Sequence, residues 1–243
     1  MITYSYICES GGRTVNEDSV SVAEKSGNYC FTLCDGLGGH GNGDVASSAV
    51  TEMFAQIFYE TNLTPKDFFT LAYTKSNEKV LELQKEKGIP FGMKSTAVSL
   101  LLSGNRCYWS HIGDSRVYCF AKNKVVTRTL DHSVPQMLVL TGELKERQIR
   151  FHPDRNKILR AIGTDDEKPG FQISQSLRIK NCQAFLLCSD GFWELITERQ
   201  MCRDLRKSLT PQEWLERMQK RVLKKGKNKN MDNYSAIAVF VNG

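Results

Sequence analysis

Apolar and polar residues alternate from Thr3 to Ile7 and from Ser19 to Ala23, and Tyr29 to Cys34 is a denser apolar run. This period of two predicts strands, the last buried on both faces. Beyond a glycine-rich loop, Val45, Ala46, Ala49, Val50, Met53, Ile57 and Phe58 recur at three- and four-residue steps, the spacing of one helical face. Thr64, Pro65 and Asp67 supply a capping hydroxyl, a first-turn proline and a capping acid, and so predict a second helix running to about Lys87. Thr96 to Leu102, Arg106 to Ile112, Arg116 to Phe120 and Val125 to Leu130 are β-rich runs joined by short turns, which predict an antiparallel meander.

Residues 131 to 170 change character, with Gly142, Pro153, Gly163, Pro169 and Gly170 set in a mixed-charge stretch, and predict a mobile insertion with short helical pieces. Strand character returns at Phe171 to Ile173 and Gln183 to Cys188. Helices are expected after Thr197 and after Thr210, and Tyr234 to Val241 closes the chain as a strand. Strands and helices in blocks point to an α+β fold with antiparallel sheet. The 243 residues, 40% apolar, favour one compact domain over 1–243.

Composition narrows the setting. No signal-peptide pattern or membrane-length apolar run is present, so a soluble, cytoplasmic protein is expected. The eight cysteines are scattered without a CxxC pair and mostly lie in apolar runs, as reduced buried thiols do. Net charge is +6, yet residues 203–229 hold ten Lys or Arg against three acids and the remainder sums to −1. A local Lys/Arg cluster without interleaved aromatics reads as a solvated helix face, so no nucleic-acid partner is expected. An anionic-polymer binder using Lys220 to Lys229 is the alternative.

Four aspartates follow or precede strands: Asp35 after Phe31 to Cys34, Asp114 after Tyr108 to Gly113, Asp190 after Ala184 to Ser189, and Asp232 before the closing strand. Singly, each is a turn former. Gathered at one rim of a sheet, their mutual repulsion needs a cation to offset it, and oxygen-only ligands select magnesium or manganese over zinc. Gly36 either lets its carbonyl or a ligand approach closely or makes an αL turn. Upstream, Arg13, Glu17 and Asp18 share one loop: the guanidinium fork matches a phosphate and the acids could hold waters, or the three form a surface salt-bridge loop.

RxxxED (Arg13 to Asp18), DGLGGH (Asp35 to His40), GxxST (Gly92 to Thr96), GDSR (Gly113 to Arg116), SDG (Ser189 to Gly191) and DN (Asp232-Asn233) follow one another in this order. The series resembles the metal-dependent protein phosphatases of the PPM, or type 2C, family across nearly the whole chain. Asp131-His132-Ser133, with His152 to Asn156 and Arg160 to Gly163, resembles the flap-bearing segment of compact bacterial stand-alone members, here about 133–170. The resemblance implies two antiparallel β-sheets packed as a sandwich, flanked by α-helices, with metals at one end. It implies two Mn²⁺ or Mg²⁺ ions and a third, weaker site. Asp35 would bridge two ions, the Gly36 carbonyl would bind one, Asp190 and Asp232 the other, and Asp114 with Asp190 the third. Glu17 and Asp18 would act through water, while Arg13, and on a weaker claim His132, would contact the phosphoryl group.

The implied reaction is hydrolysis of phosphoserine and phosphothreonine by metal-activated water without a covalent intermediate. The implied partners are phosphorylated targets of a Ser/Thr kinase, met by a monomer away from any membrane. Leu37 departs from the pattern: many eukaryotic members carry there a histidine proposed to protonate the leaving alkoxide. His40 reads as a structural residue of the glycine loop. A non-catalytic phosphoprotein-binding module would have lost a metal acid, and none is missing. From Gly142 to Arg160, six basic residues against three acidic would draw acidic phosphopeptides or gate access.

Overall fold

The computed structural model describes residues 1–38, 42–165, 170–227 and 230–241. In chain order they form β1 (Ile2–Glu9), β2 (Asp18–Lys25), β3 (Asn28–Leu37), α1 (Gly43–Glu60), α2 (Pro65–Glu86), β4 (Lys94–Ser95), β5 (Ala97–Ser103), β6 (Arg106–Ile112), β7 (Arg116–Ala121), β8 (Lys124–Arg128), α3 (Val134–Leu140), β9 (Gln172–Ile173), β10 (Leu177–Arg178), β11 (Ala184–Cys188), α4 (Asp190–Trp193), α5 (Glu198–Leu205), α6 (Pro211–Gly226) and β12 (Tyr234–Val241). One sheet runs β1-β12-β11-β7-β8 and the other β10-β6-β5-β3-β2, with β4 beside β3 and β9 beside β6. All pairings are antiparallel.

The apolar strands are continuous because both of their faces are covered. Along β3, Cys30 and Cys34 face α1 and α2, while Phe31 and Leu33 point between the sheets. Along β11, Ala184, Leu186 and Cys188 pack with the residues of α4, α5 and α6, and Phe185 and Leu187 enter the inter-sheet layer. The result is helices, sheet, sheet, helices, with three apolar layers. Each buried Leu or Phe side chain contributes about 1.5–3 kcal/mol.

Helix starts follow the local chemistry. Thr64 accepts from the Asp67 N–H ahead of Pro65, and Thr210 accepts from Glu213 N–H ahead of Pro211. The basic run from Lys220 is the end of α6, with Arg221 paired to Asp204; Lys229 lies outside the described residues. No helix among the described residues is long and apolar enough to cross a membrane.

Two expectations are corrected. The four β-rich runs are no single meander: β5 pairs with β6 and β7 with β8, but the chain crosses from one sheet to the other between β6 and β7. Gly113 makes that crossing at φ +96°, where a Cβ would sit 2.6 Å from Thr96. Nor does β3 stop at Cys34. It continues to Leu37, with Gly36 paired to Ser95, so Asp35-Gly36 is not a turn.

The insertion closes on itself where Ser133 bridges Ile158. It is fastened to the body by Ser95, which bridges Ile162, and by Asn77, which accepts from Gly163 N–H. It carries α3 and a 3-10 turn, Glu146–Phe151.

Candidate metal centre

The antiparallel order turns chain-distant loops toward one mouth of the sandwich. Asp35 stands near the end of β3, Asp114 follows β6, Asp190 follows β11 and opens α4, and Asp232 precedes β12. These four, with Glu17, Gly36 and Leu37, line a cavity of about 260 Å³, whose rim holds Arg13. The insertion contributes Asn156 and Ile158 to the same wall.

Hydrogen bonds to neighbouring residues hold several of these acids or their backbone in place. Asp35 is held on both sides by Thr96, whose hydroxyl accepts from Asp35 N–H at 3.1 Å and whose N–H donates to Asp35 O at 2.8 Å. Glu17 Oε1 accepts from Gly43 N–H at the start of α1. Gly36 must be glycine, because a Cβ would lie 2.0 Å from Gly43 O. Asp18 sits opposite Asp35 on the adjoining strand, buried, and accepts from the Ser189 hydroxyl at 2.8 Å. Asn233 braces the Arg13 loop: its Oδ1 accepts from Glu17 N–H, and its Nδ2 donates to Ser10 O and Val15 O. Arg13 itself donates to Asp232 at 3.0 Å.

Crowding of like charges in a buried mouth is visible in the protonation equilibria. Burial, then the charges of Asp18, Asp190, Asp114 and Asp232, push the Asp35 carboxyl well above the usual range. Asp114 is raised by burial and by Asp190, and Asp190 is pushed up to about 7 by burial, Glu194 and Asp232. Asp18 is pushed up to about 6, chiefly by burial. These acids hold protons more tightly folded than unfolded, so the stability they contribute is complete below about pH 3.8 and is lost as pH rises through about 6 to about 7. We therefore expect the protein in chelator to lose thermal stability between pH 5 and pH 8, and manganese to remove that slope; unfolding scans at fixed ionic strength measure both.

The donor set fits hard divalent ions. It is all oxygen, and the buried Asp18 Oδ1 and Asp114 Oδ1 have no hydrogen-bond partner. Among the described residues, no three His, Cys, Asp or Glu side chains are close enough together to hold an ion as they stand. The carboxylates instead surround an open cavity, as mutual repulsion favours.

One expectation fails here. His132 does not line the cavity; it is buried, stacks on His111 at 4.6 Å, and accepts from Gly113 N–H through Nδ1. Burial and the neighbouring His111 push it down to about 3, so it is neutral and steadies the Gly113 crossing rather than meeting a phosphoryl group. His40 lies outside the described residues. Sequence reasoning assigned no role to Thr96, Asn233 or Ser189, although all three sit inside the motif strings; Asn233 and Ser189 adjoin an acid in the sequence, whereas Thr96 does not.

A β-sandwich whose loops gather oxygen ligands at one mouth is suited to metal-assisted hydrolysis. The profile of the family described as Protein phosphatase 2C matches residues 10–234, and the chain belongs to that family of metal-dependent protein phosphatases. It is 31% identical over 201 residues to the Serine/threonine phosphatase stp of Listeria welshimeri, covering 79% of this chain and 78% of that one. It is 30% identical over 199 residues to Protein phosphatase PhpP of Streptococcus pneumoniae, covering 79% of each. The crystal structure of Serine/threonine phosphatase Stp1 from Staphylococcus aureus matches with a TM-score of 0.90 at 26% identity, covering 100% of this chain and 96% of that chain.

Proposed function

We propose that this chain removes phosphate from phosphoserine and phosphothreonine in proteins, using manganese or magnesium ions held at the carboxylate cavity. The observation that carries the reading is that Asp35, Asp114, Asp190 and Asp232, far apart in sequence, line one small cavity with an arginine at its rim. Asp35, Gly36, Asp190 and Asp232 would hold two ions and Asp114 with Asp190 a third, with Glu17 and Asp18 acting through water. Such ions lower the pKa of a water and offset charge on the phosphoryl oxygens.

The chain's own groups do the rest. Arg13 is half exposed, and its fork exchanges Asp232 for two phosphoryl oxygens, orienting the ester. Thr96 and Asn233 keep the acids and the Arg13 loop from shifting as charge builds up. Leu37 has no proton to give, and no His or Lys lines the cavity among the described residues. Residues 1–243 act as one catalytic unit, and 133–170 form a flap that borders the site through Asn156 and Ile158. Free thiols at all eight cysteines suit a reducing cytoplasm. The substrates are targets of a Ser/Thr kinase, met by a monomer.

Chelation with EDTA is expected to abolish hydrolysis of para-nitrophenyl phosphate and of phosphopeptides, and added Mn²⁺ to restore both. Activity indifferent to the chelator rejects the proposal.

A further inference from the structure

Trp193 is 1% exposed and has no place in the chemistry above, yet it belongs to the Asp190 turn and bonds to the Asp114 loop. It ends α4, the single turn opened by Asp190, and its indole N–H donates to the Asp114 carbonyl at 3.0 Å. One residue thus ties the backbone of the Asp190 turn to the backbone of the Asp114 crossing. The two loops come from different strands and bring two like-charged acids to one cavity, so something must hold them against repulsion.

Trp193 is itself held from two directions. The Arg116 guanidinium, two residues beyond Asp114, lies 3.4 Å from the ring centroid, and the Arg150 guanidinium lies 5.5 Å from it. Arg150 also donates to the Trp193 carbonyl at 3.0 Å, to the Ile196 carbonyl at 3.2 Å and to Glu198 at 2.7 Å. Arg150 belongs to the 3-10 turn of the insertion. Its neighbour Phe151 is exposed, and both residues line a cavity of about 430 Å³ that also reaches Arg13, Asp190 and Asp232. A contact on the insertion is therefore one residue away from Trp193, and Trp193 is one hydrogen bond from Asp114. Tryptophan suits this place because its ring offers a face for a guanidinium and an N–H at its edge; phenylalanine keeps the face and loses the donor.

We propose that Trp193 is a positioning residue that sets Asp114 relative to Asp190, and that Arg150 links the insertion to it. The weakest metal site is thereby under the control of the segment that borders the substrate cavity. This rests on the reading that Asp114 and Asp190 bind divalent ions, and the experiment separates the two.

The test is calorimetric titration of the full chain with Mn²⁺ alone, without substrate, for wild type, Trp193→Phe, Arg150→Met and Asp114→Asn. We expect Asp114→Asn to remove the weakest site. Trp193→Phe and Arg150→Met should each weaken that same site about tenfold, the scale seen when groups behind a ligand are changed, and leave the tightest binding unchanged. A general packing defect would weaken all sites together, and that result overturns the proposal. Isotherms of Trp193→Phe and Arg150→Met that superimpose on wild type, while Asp114→Asn loses a site, overturn the positioning role and leave the metal reading standing. An Asp114→Asn isotherm identical to wild type overturns the metal reading at Asp114 and the proposal with it. If Trp193→Phe fails to fold, Arg150→Met carries the test, since it leaves the indole N–H in place and loosens the grip on Trp193, Ile196 and Glu198 from outside.

Discussion

Asp190→Asn is expected to lower kcat on a phosphopeptide by roughly a thousandfold or more, because loss of an ion's grip forfeits several kcal/mol of charge stabilisation in the transition state. Asparagine keeps the volume and one oxygen but not the charge. Asp190 is half-buried and shares its cavity with Asp35, Asp114 and Asp232, so the substitution also removes repulsion from the folded chain. The metal-free variant should therefore be as stable as wild type or more so at pH 8, and its stability should depend less on pH. That pairing of a dead enzyme with an undamaged fold is what separates a ligand from a structural acid. Steady-state kinetics and thermal unfolding in chelator measure the two halves. A wild-type rate sinks the ligand assignment, and a rate lost together with the fold sinks the claim that the charge is there for the ion.

Asp190 and Asp114 were visible in the sequence because a strand-like run ended in each, and Asp232 because one began just after it. The helix starts at Thr64, Thr197 and Thr210 were visible for a similar reason: a cap is a local matter of one hydroxyl and the next turn's N–H groups. Asp35 was noticed for a reason that proved incomplete. Asp-Gly suggested a turn, whereas Gly36 continues the strand and is glycine because Gly43 of α1 presses against it. Such a contact joins residues that no periodicity links.

The crossing at Gly113 was hidden for a related reason. A short link between two β-rich runs permits a hairpin, and only the packing of the second run against β11 and β8 shows that it left the first sheet. His132 misled in the opposite direction. The family resemblance suggested phosphate contact, yet the stacking against His111 depends on segments distant in sequence meeting in space. The gathering of the four aspartates, the step on which the chemistry depends, came from family resemblance in sequence and from sheet order in structure. Spacing alone could not have supplied it.

Asp131→Ala is expected to lower the free energy of unfolding by about 3–5 kcal/mol, the cost of leaving a buried charge without its partner. Asp131 accepts from Arg116 Nε at 2.8 Å and from Nη2 at 2.6 Å, and both side chains are 1% exposed. Once the carboxylate is gone, Arg116 keeps the Tyr118 hydroxyl at 3.0 Å, the Trp193 face and a distant Glu198, while Arg128, which also reaches Asp131 at 3.4 Å, keeps Gln136 and Glu146. Replacing both partners with apolar residues, Arg116→Met with Asp131→Leu, should recover most of the loss, because the desolvation cost disappears with the charges. Urea unfolding of the two variants measures the difference. Activity should not recover in parallel, since Arg116 also steadies the ring that holds Asp114. A double variant no more stable than Asp131→Ala would show that shape at this site, rather than the buried charge, governs stability.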